Sequence, residues 1–441
     1  MALPWGMSSQ KATAGLWTCV SLVGANMIGT GVFTSLGFQL QAFSSSLVIL
    51  LLWLTGGIFA LCGALSYAEV AARLPRSGGE YHFLGRLYHP AFGVMAGILS
   101  IVAGFSAPVA LASLAFGSYL APVFQPMGVT PLWSALILVW VVAGVHCIHL
   151  NASKVFQNVF SFLKLLLILA FATAGMWLGR ERPDWTPQAD FFSDVFSQSF
   201  AVSLMFALYA YSGWNAATYI LGEIKDPQRT IGRALVMGTV IVTLLYVALN
   251  ASFLFAAPMD LMEGKIEIGS IVAESLFGPS GAWISGLLIG LGLVSCVSAM
   301  MWTGPRVCQV MGEDYRAFAW LSRCSRNGLP VRGTLLQALL VTLLMVTATF
   351  ESVLVFTQFS LVSCSALVVA GIFRLRWKSP KTEKIFLCWG YPFTPFLFLA
   401  ICGFTLIYAL MHRPTESLCG LGLMIAGLLA YYPISWYQAR R

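Results

Sequence analysis

An all-α protein that crosses a membrane many times is the fold class this sequence predicts, and three observations predict it. Hydrophobic residues make up 58% of the chain and charged residues only 10%, with a mean hydropathy of +0.81; an average soluble domain is about 45–50% apolar and about 25% charged. Apolar runs of about 18 residues or more recur along the whole length, each able as a helix to cross a hydrocarbon core of about 30 Å. Basic residues gather in alternate connections between those runs.

Taken in order, the runs and the charges that bound them predict twelve spans. The first, about residues 13 to 38, follows Lys11; the second, 44 to 70, ends before Arg73, Arg76 and Arg86. The third and fourth, 90 to 121 and 131 to 148, lead to Lys154, and the fifth, 156 to 178, leads to Arg180 and Arg182. The sixth and seventh, 195 to 221 and 233 to 257, are separated by Lys225 and Arg229, with Arg233 at the joint. Lys265 precedes the eighth, 281 to 310, and Arg316, Arg323, Arg326 and Arg332 follow it. The ninth and tenth, 333 to 350 and 353 to 374, lead to Arg376, Lys378, Lys381 and Lys384; the last two, 391 to 411 and 417 to 437, flank Arg413 and end at Arg440 and Arg441.

With the N-terminus inside, 20 of the 25 lysines and arginines lie on the inner side. The positive-inside rule then places both termini in the cytoplasm and the chain in a cell membrane. The same asymmetry accounts for the net charge of +8, so the charge does not argue for nucleic acid, and no basic patch interleaved with aromatics supports it. The start, Met1-Ala2-Leu3-Pro4-Trp5-Gly6, lacks the features of a removable signal peptide. The longest polar intervals, about 179 to 194 and 311 to 332, are too short for a soluble catalytic domain, and residues 1–441 are read as one membrane domain.

The ten cysteines are scattered and form no CxxC pair, which reads as small buried hydrophobes rather than a disulfide framework. His146 and His149 share a helical face without a third ligand, so no metal or other cofactor is expected. There is no HExxH, P-loop or GxSxG, and no paired intramembrane carboxylate. The chain reads as no enzyme, and any solute it moves must be driven by a gradient.

Two spans are interrupted at mid-membrane by small residues: Ile28-Gly29-Thr30-Gly31 in the first and Tyr211-Ser212-Gly213-Trp214-Asn215 in the sixth. Backbone at membrane depth can leave the helix only where it faces protein or a watery cavity, and two such breaks in corresponding halves point to a transporter's substrate site. Unwinding frees amides at the start of the following half-helix, which suit a carboxylate. It also frees carbonyls at the end of the preceding one, near Met27, which suit an ammonium. A zwitterion matches both. The alternative is close packing, which glycines also serve in membranes.

Lys164 lies well inside the fifth span, where a cation costs at least a few kcal/mol unless it pairs or reaches water. Either it has a function there or it snorkels to the interface. Glu69, near the end of the second span, is placed either as a proton carrier or as the i, i+4 partner of Arg73.

These residues resemble a known family. Leu208-Tyr209-Ala210-Tyr211-Ser212-Gly213-Trp214-Asn215, running to Gly222-Glu223-Ile224-Lys225-Asp226-Pro227, is similar to the sixth-span signature of the L-type amino acid transporters, within the amino acid, polyamine and organocation superfamily. Asn26-Met27-Ile28-Gly29-Thr30-Gly31-Val32-Phe33 resembles that family's first-span motif. Ser66-Tyr67-Ala68-Glu69 with Pro75-Arg76-Ser77-Gly78-Gly79-Glu80-Tyr81 resembles its second-span and loop motif. The resemblance implies five plus five helices in inverted repeats, about 13–178 and 195–374, with two extra helices at about 391–437.

The resemblance also implies a substrate site at Met27, Ile28, Gly29, Thr30, Gly31, Tyr209, Ala210, Ser212, Gly213 and Asn215. Amides of Thr30 and Gly31 would hold a carboxylate, carbonyls of Met27, Tyr209 and Ser212 would face an ammonium, and Tyr209 would be an aromatic gate. Lys164 would stand where sodium-coupled relatives bind the ion. Two features depart from the pattern. The connection from about Pro122 to Pro131 has no cysteine for a disulfide-linked heavy chain, which implies a chain that works alone, as a monomer. Position 212 is serine where several members have glycine, and the tenth span reads Phe359-Ser360-Leu361-Val362-Ser363-Cys364 without a polar amide; the extra hydroxyl leans toward small or medium neutral substrates.

The implied function is sodium-independent exchange of neutral L-amino acids by alternating access. Rivals are a proton-coupled amino acid or polyamine symporter, and an amino acid sensor that binds without transporting. Polyamines need carboxylates, which neither break supplies.

Overall fold

The computed structural model describes residues 14–148, 153–324, 329–378 and 385–439, with side chains from 162 onward in the helix that starts at Ser153. Among the described residues the regular elements are helices, with one isolated bridge between Ala14 and Ile224, and eight helices are long and apolar enough to cross a membrane, or nine if a bent pair is counted as one. That pair is α1 (Leu16–Met27) and α2 (Gly31–Leu40), which meet at 40° across the first glycine cluster. A polytopic membrane protein follows.

The elements that position the interior can be given in order. α3 (Ser46–Arg73) is a long straight span, and α4 (Gly79–Leu87) is a short connecting helix. α5 (Pro90–Tyr119) is a span whose middle, Ser100–Ser106, widens into a π turn, with the Ser106 hydroxyl donating to the Ile101 carbonyl at 2.7 Å. α6 (Pro131–Ile148) and α7 (Ser153–Leu178) follow. α8 (Gln198–Tyr211) stops at the second cluster, and the chain resumes as a 3-10 segment, Ala216–Glu223. Beyond it lie α9 (Pro227–Ala256), the short α10 (Ile268–Phe277), α11 (Pro279–Asp314), α12 (Val331–Thr347), α13 (Phe350–Lys378), α14 (Phe393–His412) and α15 (Pro414–Ala439).

Small residues set how closely these helices approach, as expected where lipid offers no hydrophobic drive to helix association. A side chain at Gly238 of α9 would meet Val23 of α1 at 2.7 Å, and one at Gly57 of α3 would meet Thr243 of α9 at 2.3 Å. The space is filled by Trp53, Tyr211 and Tyr246, whose rings lie 5.1–6.2 Å apart. Outward faces are apolar instead. Ile137, Val141 and Val145 line one side of α6, and Leu335, Leu339 and Leu343 one side of α12, all exposed. The four-residue spacing makes each a continuous stripe along the helix, which suits lipid.

The end of the bundle that carries Arg73, Arg76, Arg86, Arg374 and Arg376 is called here the basic end. Glu69 is buried there; one of its oxygens is paired by Arg73 at 2.9 Å, and the other is paired by Arg376 of α13 at 2.6 Å and also accepts the Cys388 amide at 2.8 Å. Arg376 lies 3.7 Å from the centre of the Tyr391 ring. The i, i+4 pairing of Glu69 with Arg73 therefore holds, widened into a network that ties α3 to α13 and to the chain leading into α14. Removing one partner of a buried pair typically costs about 3–5 kcal/mol. At the opposite end Arg413, between α14 and α15, pairs with Glu351 of α13, and it lies 3.8 Å from Glu416.

One backbone contact joins the two interrupted regions at their basic ends. The Ala14 amide donates to the Glu223 carbonyl at 3.0 Å, and the Lys225 amide donates to the Ala14 carbonyl at 2.9 Å. His146 bonds Ser298 of α11 at 3.0 Å, a helix-to-helix contact, while His149 lies outside the described residues.

Candidate functional site

The two breaks face each other. Gly31 opens α2 so close to Ala210 that a side chain would stand 2.6 Å from its Cα, and Gly213, with φ of +99°, is packed against the Asn26 backbone, where a side chain would stand 2.9 Å from the carbonyl. Glycine alone meets both conditions at Gly213, the left-handed conformation and the close approach. Around this contact lies a cavity of about 390 Å³, within the range of small-molecule sites.

The residues assigned from sequence to the substrate site, together with Lys164, line that one cavity: Met27, Ile28, Gly29, Thr30, Gly31, Lys164, Tyr209, Ala210, Ser212, Gly213 and Asn215. The hydroxyls of Thr30 and Tyr209 bond each other at 2.9 Å, closing the wall between the two half-helices. α2 begins at Gly31, so its first amides have no carbonyl one turn back to bond; Phe33 alone in that turn is tied to the Thr30 carbonyl, at 3.0 Å, among the described residues. Donors and the positive end of a helix dipole therefore meet at the cavity wall.

The carbonyls are partly engaged. Tyr246 of α9 donates to the Met27 carbonyl at 2.6 Å and sits 3.2 Å from that of Ala210, bridging the two breaks. The Tyr209 carbonyl takes both the Ser212 amide, at 3.0 Å, and the Ser212 hydroxyl, at 2.7 Å. A carbonyl has two lone pairs. Met27 retains one for another donor, whereas Tyr209 is filled by the serine that ends α8.

Lys164 does not snorkel. It is 7% exposed, its stem passes 3.2 Å from where a side chain on Gly292 would sit, and its ammonium donates to the Cys296 sulfur of α11 at 2.9 Å. A cation is thus held at the cavity wall between α7 and α11, beside the first break.

Toward the end opposite the basic one the neighbouring elements are tied together: Tyr119 donates to the Phe33 carbonyl at 2.9 Å and accepts the Gly269 amide at 3.1 Å, and Ser35 donates to the Phe206 carbonyl at 2.9 Å. The cavity lining extends toward the basic end, where it reaches Glu80, Ser100 and Ser365 and includes the exposed Ala25 and Thr303. The π turn of α5 contributes Gly104 and Phe105 to this wall.

Three lining or supporting residues were not found from sequence. Tyr246 sits in an otherwise apolar span, and the signal available was its hydroxyl, which needs a partner away from water. Gln358 of α13 stands one residue before the stretch read as lacking an amide; it is buried on the cavity, and its nitrogen has no hydrogen-bond partner among the described residues. Glu80 comes from the connecting helix α4 and reaches Asn215 at 3.2 Å, so an acidic residue does stand at the second break.

A family model of amino acid permeases matches residues 15–428. The chain belongs to the amino acid permease family. Curated relatives agree in kind over almost the whole length of this permease. It is similar to the serine/threonine exchanger SteT of Bacillus subtilis (strain 168), 26% identical over 433 residues that cover 96% of each chain. It is also similar to the human large neutral amino acids transporter small subunit 2, 24% identical over 446 residues, covering 97% of the permease and 81% of the relative. The human b(0,+)-type amino acid transporter 1 is 24% identical over 441 residues, covering 98% and 89%. The L-type resemblance seen in the motifs thus extends through the chain, and the permease is a transporter and not an enzyme.

Tyr209→Phe removes one buried hydrogen bond without changing the ring, and it should lower stability by about 1 kcal/mol. Thermal unfolding in detergent measures this. An unchanged midpoint would mean that the Thr30 to Tyr209 bond does not hold the wall.

Proposed function

We propose that this permease exchanges small to medium neutral L-amino acids across the cell membrane by alternating access, without sodium. The observation that carries this reading is the meeting of two broken helices on one cavity that also holds a buried ammonium. Amides at Thr30 and Gly31 receive the substrate carboxylate. The Met27 lone pair left by Tyr246, with the Ser212 carbonyl, receives the ammonium, and Ile28, Gly29, Ala210, Gly213 and Asn215 shape the space between. Tyr209, already bonded to Thr30, is the gate.

Lys164 acts as a fixed cation between α7 and α11. A transporter with a permanent charge at that position has no need to load sodium before it reorients, and a bound substrate then becomes the condition for reorientation, which is exchange. The serine/threonine exchanger SteT and the amino acid transporters among the relatives support the same substrate class.

The architecture that fits is twelve spans in two inverted repeats of five, about residues 13–178 and 195–374, followed by two further helices. Each broken span takes the first place in its repeat. The basic end faces the cytoplasm, both termini lie there, and the open cavity is the inward-facing state. The chain acts as a monomer, and the connection from Pro122 to Pro131 holds no cysteine to bind a heavy chain.

Purified permease in liposomes tests the proposal through uptake of radiolabelled amino acid with and without internal amino acid, sodium and a pH gradient. Uptake is expected only into vesicles loaded with amino acid, and it should not change when sodium is replaced by choline. Uptake into empty vesicles driven by a proton gradient would overturn exchange.

A further inference from the structure

Glu80 is a buried carboxylate on the cavity that carries no salt bridge among the described residues. It is 3% exposed, and one of its oxygens, Oε1, accepts three hydrogen bonds from three different elements: Tyr67 of α3 at 2.6 Å, Asn215 of the second break at 3.2 Å and Ser365 of α13 at 3.1 Å. The titratable groups around it are Tyr67, Tyr219 of the 3-10 segment and Cys364 of α13, all neutral at ordinary pH, and no lysine, arginine or histidine pairs with it among the described residues. This differs from Glu69, which two arginines neutralise. Buried anions are normally compensated by a cation, so the arrangement is built to hold the carboxylate by donors alone.

We infer that Glu80 is a proton-binding site that positions the second break, and that its ionisation governs exchange from the basic end. The inference rests on the exchange reading above but adds a regulator to it. Ionised, the carboxylate can accept from all three donors at once and fixes Asn215, and with it the start of the 3-10 segment, to α3 and α13. Protonated, it carries an O–H of its own, offers less to the three donors, and releases Asn215. Burial pushes the Glu80 carboxyl above its ordinary range, and the hydrogen bonds of Tyr67, Ser365 and Cys364 oppose this in part. The group is therefore ionised above its raised folded-state value and gains its proton, losing the tie, as the pH falls through that value.

Two measurements test it on the purified permease. Infrared difference spectra between about pH 4 and about pH 8 should show a protonated carboxyl band that fades as pH rises and is absent from Glu80→Gln. Exchange from the basic end should fall at least about tenfold on acidification, a change worth about 1.4 kcal/mol, with a midpoint above the ordinary carboxylate value. Glu80→Gln should be slow and flat across the range. Ser365→Ala, which removes one donor to the anion, should move the acid limb to higher pH. A Glu80→Gln protein that keeps the wild-type acid limb, at any rate, or a Ser365→Ala limb that does not move, would overturn the inference. Wild-type vesicles without exchange at any pH would sink the transport reading instead, and the infrared titration would then decide Glu80 by itself.

Discussion

Replacing Lys164 with alanine is expected to reduce exchange by about 10–100-fold while the protein still inserts and runs as a single species. The size follows from what the ammonium does. A hydrogen bond to a charged group is worth about 1.5–3 kcal/mol, and here it links α7 to α11 through Cys296 beside the first break. Loss of the cation also leaves the space beside Gly292 unfilled, where the lysine stem now packs. A cation there that merely sheltered from lipid would make the substitution favourable, because removing a charge from the membrane relieves desolvation. Initial rates of exchange in liposomes, compared at equal protein, separate the two. Rates equal to wild type would mean that the ammonium contributes nothing to the transport cycle. Addition of sodium to the alanine variant is a useful second arm, since a site opened by loss of the fixed charge is of the right sign to admit a small cation.

The second large effect is expected at Gly213. Alanine there must hold a φ of +99°, which costs an L residue about 1–2 kcal/mol. Its side chain would also stand 2.9 Å from the Asn26 carbonyl, backbone that cannot rotate away as a flexible side chain would. The two half-helices must then separate, and exchange should fall to the background of empty vesicles with a clear loss of thermal stability. Gly29→Ala is the matched control. The nearest atom to a side chain at Gly29 is 3.9 Å away and its φ is not in the left-handed region, so its melting temperature should stay near wild type although it lies in the same cavity. Equal melting of the two variants would show that the contact between the breaks is soft.

The parts of this molecule that sequence made legible are those where a residue violates what a bilayer tolerates. Glycines and an asparagine in the middle of apolar runs, and a lysine well inside one, are costly unless the fold uses them, so Gly29, Gly31, Gly213, Asn215 and Lys164 stood out one by one. The helices stood out for the same reason, through the length of their apolar runs. What did not stand out depends on contacts between distant segments. Tyr246 reads as one more aromatic until the carbonyls of Met27 and Ala210 are found against its hydroxyl. Glu80 reads as part of a polar connection until α4 folds inward and delivers it to Asn215. The π turn in α5 left no mark because Ser100–Ser106 is as apolar as its neighbours and carries no proline.

The short backbone clasp between Ala14 and the Glu223 to Lys225 strand of chain has a mechanical consequence. The basic-side halves of the two broken helices are pinned to each other at their outer ends by that clasp and at their inner ends by the Gly213 to Asn26 contact. Two struts joined at both ends make a closed frame, and a closed frame cannot fold along its diagonal. The halves are then expected to swing together, so that movement of one on the basic side carries the other with it.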